Sequence, residues 1–314
     1  MQGGLDFQYQ HDLGEGVQLS AEIYALNSYT SGDLDLDQAW GQAWGGVFRY
    51  NSDPLFFQFQ TKHLEEGYNP ALGFLNRPEI RSFGLNGRRR WRPANTIFRN
   101  VDLRLWNSIT TDLDFHTQSR QHGGSIEGSL TSSDYWGIAP KFWFERIQEP
   151  FDLPGDVTVE AGDYWFQTVT AWVGGANSRV LKPHFEVECC SVFGGDFLRL
   201  QGNLRWRPLP AFSLGWNNQW RQIRLDTGTT EIYVTGLEGT ITFSPDMQLR
   251  TEVQYDNISG NVNVFSRFNW VFSPGAELFI GLGHNADVPA GDFPNEFSSN
   301  VTTVTVRVGR TFAY

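Results

Sequence analysis

Apolar and polar residues alternate with a period of two along most of this 314-residue chain, and that pattern leaves few folds open. Over 198–206, Leu198, Leu200, Leu204 and Trp206 share one face, with Arg199, Gln201, Asn203 and Arg205 on the other. The next segment repeats the arrangement, with Phe212, Leu214, Trp216 and Trp220 against Ser213, Asn217, Gln219 and Arg221. Met247, Leu249, Val253 and Tyr255 then oppose Gln248, Arg250, Glu252 and Gln254, and Val264, Phe268, Trp270 and Phe272 oppose Arg267 and Asn269. No convincing amphipathic helix interrupts the series, so the chain reads as all-β.

What the polar faces carry decides the architecture. A soluble sandwich, the competing arrangement, points apolar side chains inward and short polar ones outward. Here the polar faces carry long Arg and Glu side chains, and aromatic residues make up 15% of the sequence, with 12 Trp and 25 Phe. That distribution fits an inverted arrangement, in which apolar faces meet lipid and polar faces line a lumen. The expected fold is a transmembrane antiparallel β-barrel of about 16–18 strands with short periplasmic turns and longer extracellular loops, each strand supplying the about 9–11 residues a crossing needs.

The connections test this independently. The expected strands are 3–11, 17–27, 38–50, 55–64, 82–92, 96–110, 113–131, 136–149, 163–174, 178–191, 195–207, 210–223, 230–243, 247–257, 262–273, 276–285 and 301–314. Alternate connections sort by length: DLGEG, NSDP, RPAN, DYWG, GGAN, PLP, SPD and SPG on one side, and on the other NSYTSGDLDL, residues 65–81, EPFDLPGDVTVEAG, LDTGTT and NADVPAGDFPNEFSSN. The count is odd, whereas bacterial barrels are normally even. A missing upstream strand or strands, which agrees with the lack of a secretory signal at MQGGLDFQYQ, is the simplest repair, and a misread 113–131 segment is its rival. Residues 1–314 are expected to form one barrel domain, with 65–82 as a plug or a loop over the rim.

The net charge of −11 argues against nucleic acid as a partner. No apolar stretch is long enough for a transmembrane helix. Cys189 and Cys190 are adjacent, so a strand would point them to opposite faces, and they read as unpaired.

The chain closes on RVGRTFAY, similar to the terminal signal of outer-membrane barrel proteins: a polar residue, Gly, then hydrophobic residues ending the chain, here Arg307, Gly309, Phe312 and Tyr314. That resemblance implies recognition by the barrel-assembly machinery. Three internal stretches, GYNPALGFLNRPEIRSFG (67–84), FDLPGDVTVEAGDYWF (151–166) and TFSPDMQLRTEVQYDNISGNVNVFSRFNWVFSPGAELFIGLGHN (242–285), resemble the DUF5916 family. Ser266 departs from the Asn expected there, and the similarity spans roughly 67–285. The resemblance implies a C-terminal outer-membrane barrel domain, often behind a family-9-like carbohydrate-binding module, with that module or another envelope protein as a partner beside outer-membrane lipid. The module itself is absent from these residues.

Candidate chemistry is sparse. Arg88, Arg90 and Arg92 share a face, as do Arg89 and Trp91. With Arg104 the first set could form an anion-selective patch. Alternatively the polar-face charges Arg88, Arg90, Arg104, Glu186, Glu188, Arg199, Arg205, Arg221, Arg250, Glu252 and Arg267 form a ladder that satisfies itself, together with Asp102 and Glu145. Asp33, Asp35 and Asp37 alternate in an expected loop, but Gln38 stands where a calcium loop wants Gly, which favours a solvated acidic loop over a metal site. No HExxH or GxSxG pattern is present, no cofactor is implied, and the reading is of a non-enzymatic pore, anchor or surface-presentation platform. An outer-membrane enzyme using loop residues and a soluble carbohydrate-binding β-protein are the alternatives.

Overall fold

The computed structural model describes residues 1–30, 39–70, 77–288 and 298–311. Nineteen strands follow in chain order: β1 (Gln2–Gly14), β2 (Val17–Thr30), β3 (Ala39–Asn51), β4 (Leu55–Leu64), β5 (Ile80–Trp91), β6 (Phe98–Thr111), β7 (Thr117–Leu130), β8 (Tyr135–Ile147), β9 (Phe151–Leu153), β10 (Val157–Val159), β11 (Gly162–Gly174), β12 (Leu181–Val192), β13 (Gly195–Leu209), β14 (Phe212–Leu225), β15 (Gly228–Ser244), β16 (Met247–Asp256), β17 (Asn261–Ser273), β18 (Ala276–Asp287) and β19 (Ser298–Arg310). Seventeen of them form one antiparallel sheet. Each pairs with its sequence neighbour, and β8 pairs with β11 across the small β9–β10 hairpin. Among the described residues β1 pairs only with β2 and β19 only with β18, so the sheet is open at both ends.

Because every pairing is antiparallel and the sheet has 17 strands, its two edge strands run in the same direction. Turns after β1, β3, β5, β7, β11, β13, β15 and β17 gather at one end, here the short-turn end. The opposite, long-loop end also holds short turns. Asp226–Thr227 is a two-residue link where LDTGTT was read as a longer loop, and Phe193–Gly194 is another. The 113–131 segment is one strand, β7, preceded by a turn in which Asp112 Oδ1 accepts from the backbone N–H groups of Asp114 and His116 at 3.0 and 2.8 Å.

Alternation sorts the side chains as the sequence predicts. Leu200, Trp216, Leu237, Ile280, Val304, Val306 and Val308 lie on the apolar face and are exposed. The polar face is far more crowded: Asp102 and Thr168 are 2% exposed and Glu188 7%, against 63% for Val306. Burial of the polar rather than the apolar face means that the sheet curls toward its charged side. Glycines make room for that curl, because inner-face aromatics lie across from them. Trp172 stands opposite Gly137 and Tyr135 opposite Gly174, and in both cases a Cβ on the glycine would collide with the ring.

Cys190 leaves strand geometry at φ 124°, which brings its sulfur to that of Cys189, and the two are joined as a vicinal pair rather than left unpaired. The β9–β10 hairpin, within a segment read as plain loop, is the other departure. Its turn is Pro154-Gly155-Asp156, with Gly155 at φ 83° and Asp156 at φ 57°.

Candidate functional site

The inner face collects charge because every second residue of each strand points there. Arg90 on β5 grips Asp102 on β6 with both arms, Nε to Oδ1 at 2.7 Å and Nη2 to Oδ2 at 2.6 Å, and Asn100 donates to Oδ1 at 3.2 Å. Arg104 pairs with Glu127 at 2.5 Å. Around buried Glu188 on β12 converge Lys141 at 3.5 Å, Arg199 at 2.8 Å and the Thr168 hydroxyl at 3.1 Å, and Arg199 also reaches Glu186. Arg250 binds Glu238 at 2.8 Å and also Glu252. The Asp102 and Glu188 carboxylates are buried and multiply bonded, as a crowded interior requires, whereas Arg104 and Glu252 keep nearly half of their side chains exposed.

Other ladder members stay outside those pairs. Among the described residues Arg88 donates only to the carbonyls of Ser52 and Asp53, both at 3.4 Å, and it stands directly opposite Arg104. Arg221 faces Arg199, Arg267 faces Arg250 and Arg205 faces Lys182 across neighbouring strands. Arg205, Arg221 and Arg267 have no ion pair among the described residues, and the buried Nε atoms of Arg88 and Arg221 have no hydrogen-bond partner. Glu145 does not join the ladder; it pairs with Arg77. Sequence reasoning missed Lys141, Glu127, Glu238 and Glu277 as partners, although each sits on the polar parity of its strand.

Two segments fold inward at the long-loop end. Tyr68 is buried against Ala43 and Leu64, which are inner-face residues of β3 and β4, and its hydroxyl accepts from Gln2 Nε2 at 3.1 Å. Gly41 has no side chain because the backbone of Gly67 and Tyr68 occupies its place. Arg77, just before β5, pairs with Glu145 on β8, three strands further along the sheet. The β9–β10 hairpin also folds inward. Leu153 packs on Phe166, Val192 and Ile223 of β11, β12 and β14. Val157 and Val159 are 2% and 1% exposed, and Thr227 donates to the Thr158 carbonyl at 2.8 Å. Between the two inserts lies a cavity of about 590 Å³ bordered by Arg77, Ile80, Asp112, Gln118, Arg146 and Phe151.

At the short-turn end Asp134 accepts from Arg179 Nε at 2.8 Å, from Ser132 at 2.8 Å and from the Ala176 N–H at 2.9 Å. The Arg179 guanidinium above all, then Ser132 and Ala176, hold its carboxyl down at about 2. Two turns are thereby tied to each other.

On the final strand, Arg307 pairs with Glu277 at 2.9 Å and Gly309 lies opposite Glu277. Phe312 and Tyr314, and the acidic trio Asp33, Asp35 and Asp37, lie outside the described residues. Among the described residues no three His, Cys, Asp or Glu side chains gather at metal-binding distance.

No family model and no curated protein matches the chain. Among solved structures it is similar to the siderophore receptor PirA from Pseudomonas aeruginosa, at 11% identity and a TM-score of 0.38, over 99% of this chain and 70% of that one.

Proposed function

We propose that this chain is a bacterial outer-membrane β-barrel domain that acts without catalysis, as an obstructed pore, an anchor or a platform presenting a neighbouring envelope domain. The observation that carries the reading is the inversion of the faces: Phe, Trp, Leu and Val stand exposed on the outer side while paired charges are buried on the inner. Soluble monomers rarely expose a contiguous apolar patch larger than a few hundred Å². An outer face of this kind finds its solvent in lipid. Membership of the DUF5916 family, with barrel-assembly machinery, lipid and an attached carbohydrate-binding or other envelope domain as partners, belongs to the same proposal.

The reading demands closure, because an open sheet edge has no hydrogen-bond partner in a bilayer. Since β1 and β19 run in the same direction, they close either by pairing parallel to each other or around an odd number of additional strands. Cysteine cross-linking of Thr305→Cys against a scan of inner-face positions along β1 separates these, since paired strands lie about 5 Å apart and one intervening strand doubles that.

The test of the whole is extraction and conductance. The protein should need detergent, migrate differently on gels before and after boiling, and give small conductance in planar bilayers that rises when residues 150–160 are removed. Recovery as a detergent-free soluble monomer overturns the membrane reading. Turnover of a lipid or peptide substrate by the same preparation overturns the non-enzymatic one.

A further inference from the structure

One stretch of the inner face carries amides instead of charges. Asn203 on β13 stands opposite Asn217 on β14, which faces Gly236 on β15, which faces Gln254 on β16, and the row continues to Asn263 and Asn285. One rung nearer the long-loop end, Gln201 faces Gln219. At the far end the amides satisfy one another: Asn285 donates to Asn263 at 2.7 Å and Asn300 to Asn285 at 3.2 Å. Around Gly236 they do not. Gln201, Asn203, Asn217, Gln219 and Gln254 line a cavity of about 300 Å³, and none of their side chains has a hydrogen-bond partner among the described residues. Gly236 hollows it out, since an added Cβ there would meet only the Val253 carbonyl, at 3.5 Å. That volume sits at the lower end of the range for small-molecule sites.

The chemistry at its two ends is specific. Arg221 follows Gln219 by two residues on the same face, about 7 Å along the strand, and its buried Nε has no partner. Arg205 follows Asn203 by the same spacing and has no ion pair among the described residues. Arg199 and Arg250, by contrast, are already neutralised by Glu186 with Glu188 and by Glu238 with Glu252. The cavity therefore offers several planar amides, each a donor and an acceptor, and just beyond its lining, one same-face residue along β14 and β13, stand two guanidinium groups with no ion pair among the described residues. Amides match hydroxyl groups that both give and take a hydrogen bond, and a free guanidinium matches a carboxylate.

We infer that the cavity around Gly236 binds a carboxylated monosaccharide, a hexuronate-type ligand, with its hydroxyls on Asn203, Asn217, Gln219 and Gln254 and its carboxylate on Arg221 or Arg205. The inference rests on reading the polar face as the interior of a barrel. Failure of that reading shows separately, as loss of heat-modifiable migration.

Calorimetric titration of the full chain in detergent micelles with D-glucuronate, D-glucose and acetate tests it. Glucuronate should bind at least about tenfold more tightly than either of the others, a difference of about 1.4 kcal/mol. Arg221→Gln together with Arg205→Gln should reduce glucuronate to the glucose level, and Gly236→Leu should abolish binding of both sugars. If Gly236→Leu fails to fold, Asn217→Ala with Gln254→Ala reads the same loss. Equal binding of glucuronate and glucose, binding of acetate as tight as glucuronate, no saturable binding, or unchanged binding in the variants overturns the assignment.

Discussion

Glu188 and Glu277 are both inner-face glutamates with an arginine on the neighbouring strand, yet their surroundings differ sharply. Glu188 sits on β12 in the middle of the sheet, its side chain 9% exposed among Lys141, Arg199 and Thr168. Glu277 sits on β18, one strand from the edge, with half its side chain exposed and, among the described residues, a single ion-pair partner, Arg307, that is 66% exposed. The alternation that aimed the two carboxylates is the same. Both strands are paired on each side, but β12 lies deep in the curled sheet whereas β18 is one strand from its edge, so Glu188 becomes a buried node and Glu277 stays a surface pair, where ion pairs contribute little.

The largest effect that would sharpen this contrast is at the node. Glu188→Ala leaves Lys141 without an ion pair among the described residues and Arg199 with Glu186 alone, and should cost about 3 kcal/mol, at the low end for a broken buried pair because Arg199 keeps one carboxylate and both cations keep some solvent contact. Urea unfolding in micelles reads it, and a loss under about 1 kcal/mol would show the centre to be as wet as the edge. Next comes packing. Gly137→Val pushes a side chain into the Trp172 ring and should cost about 2 kcal/mol, whereas Gly3→Val on β1, where nothing lies within 4 Å of an added Cβ, should be near neutral. Similar losses at both glycines would break the comparison.

A smaller effect is expected at the turns. The carboxyl of Asp134 titrates at about 2 in the folded protein, below its unfolded value. A depressed carboxylate contributes stability that is complete above the unfolded value of about 4 and is lost as the pH falls through the folded one. The midpoint difference between the native chain and Asp134→Asn should thus be constant from pH 7 to about pH 5 and shrink toward pH 2. A difference independent of pH would assign the effect to geometry alone. Smallest of all is Glu277→Ala, expected within about 0.5 kcal/mol. A loss matching that of Glu188→Ala would mean that the edge is covered by another strand under the conditions measured.

Legibility in the sequence tracked how local the cause was. The seventeen strands of the main sheet lie where alternation places them, because side-chain direction in a strand depends only on residue parity. Turn lengths were harder. LDTGTT reads as a loop because Asp and Gly favour turns, yet Thr229 and Thr230, β-branched residues that suit a strand, belong to β15, where Thr230 is buried. FDL-PGD-VTV did carry a hairpin signal, three alternating residues on either side of a Pro-Gly turn, but strands this short are stable only when another surface covers them. That surface, formed by Phe166, Val192 and Ile223, comes from three separate strands and is invisible locally. Partner choice within the ladder was likewise hidden: Arg77, beside β5, takes Glu145 from β8, three strands away, a match that no local pattern announces.

By itself the sequence determined that the chain is an antiparallel all-β sheet with opposed apolar and charged faces, because both follow from a period of two. Only the tertiary structure decided how closely the inward charged face is packed, that Tyr68 and the β9–β10 hairpin fold inward at the long-loop end, and that Gly236 opens a cavity among amides with no side-chain partner among the described residues. Each of these depends on which strands come to lie side by side as the sheet curls, and cross-strand distance is a property that no single segment encodes.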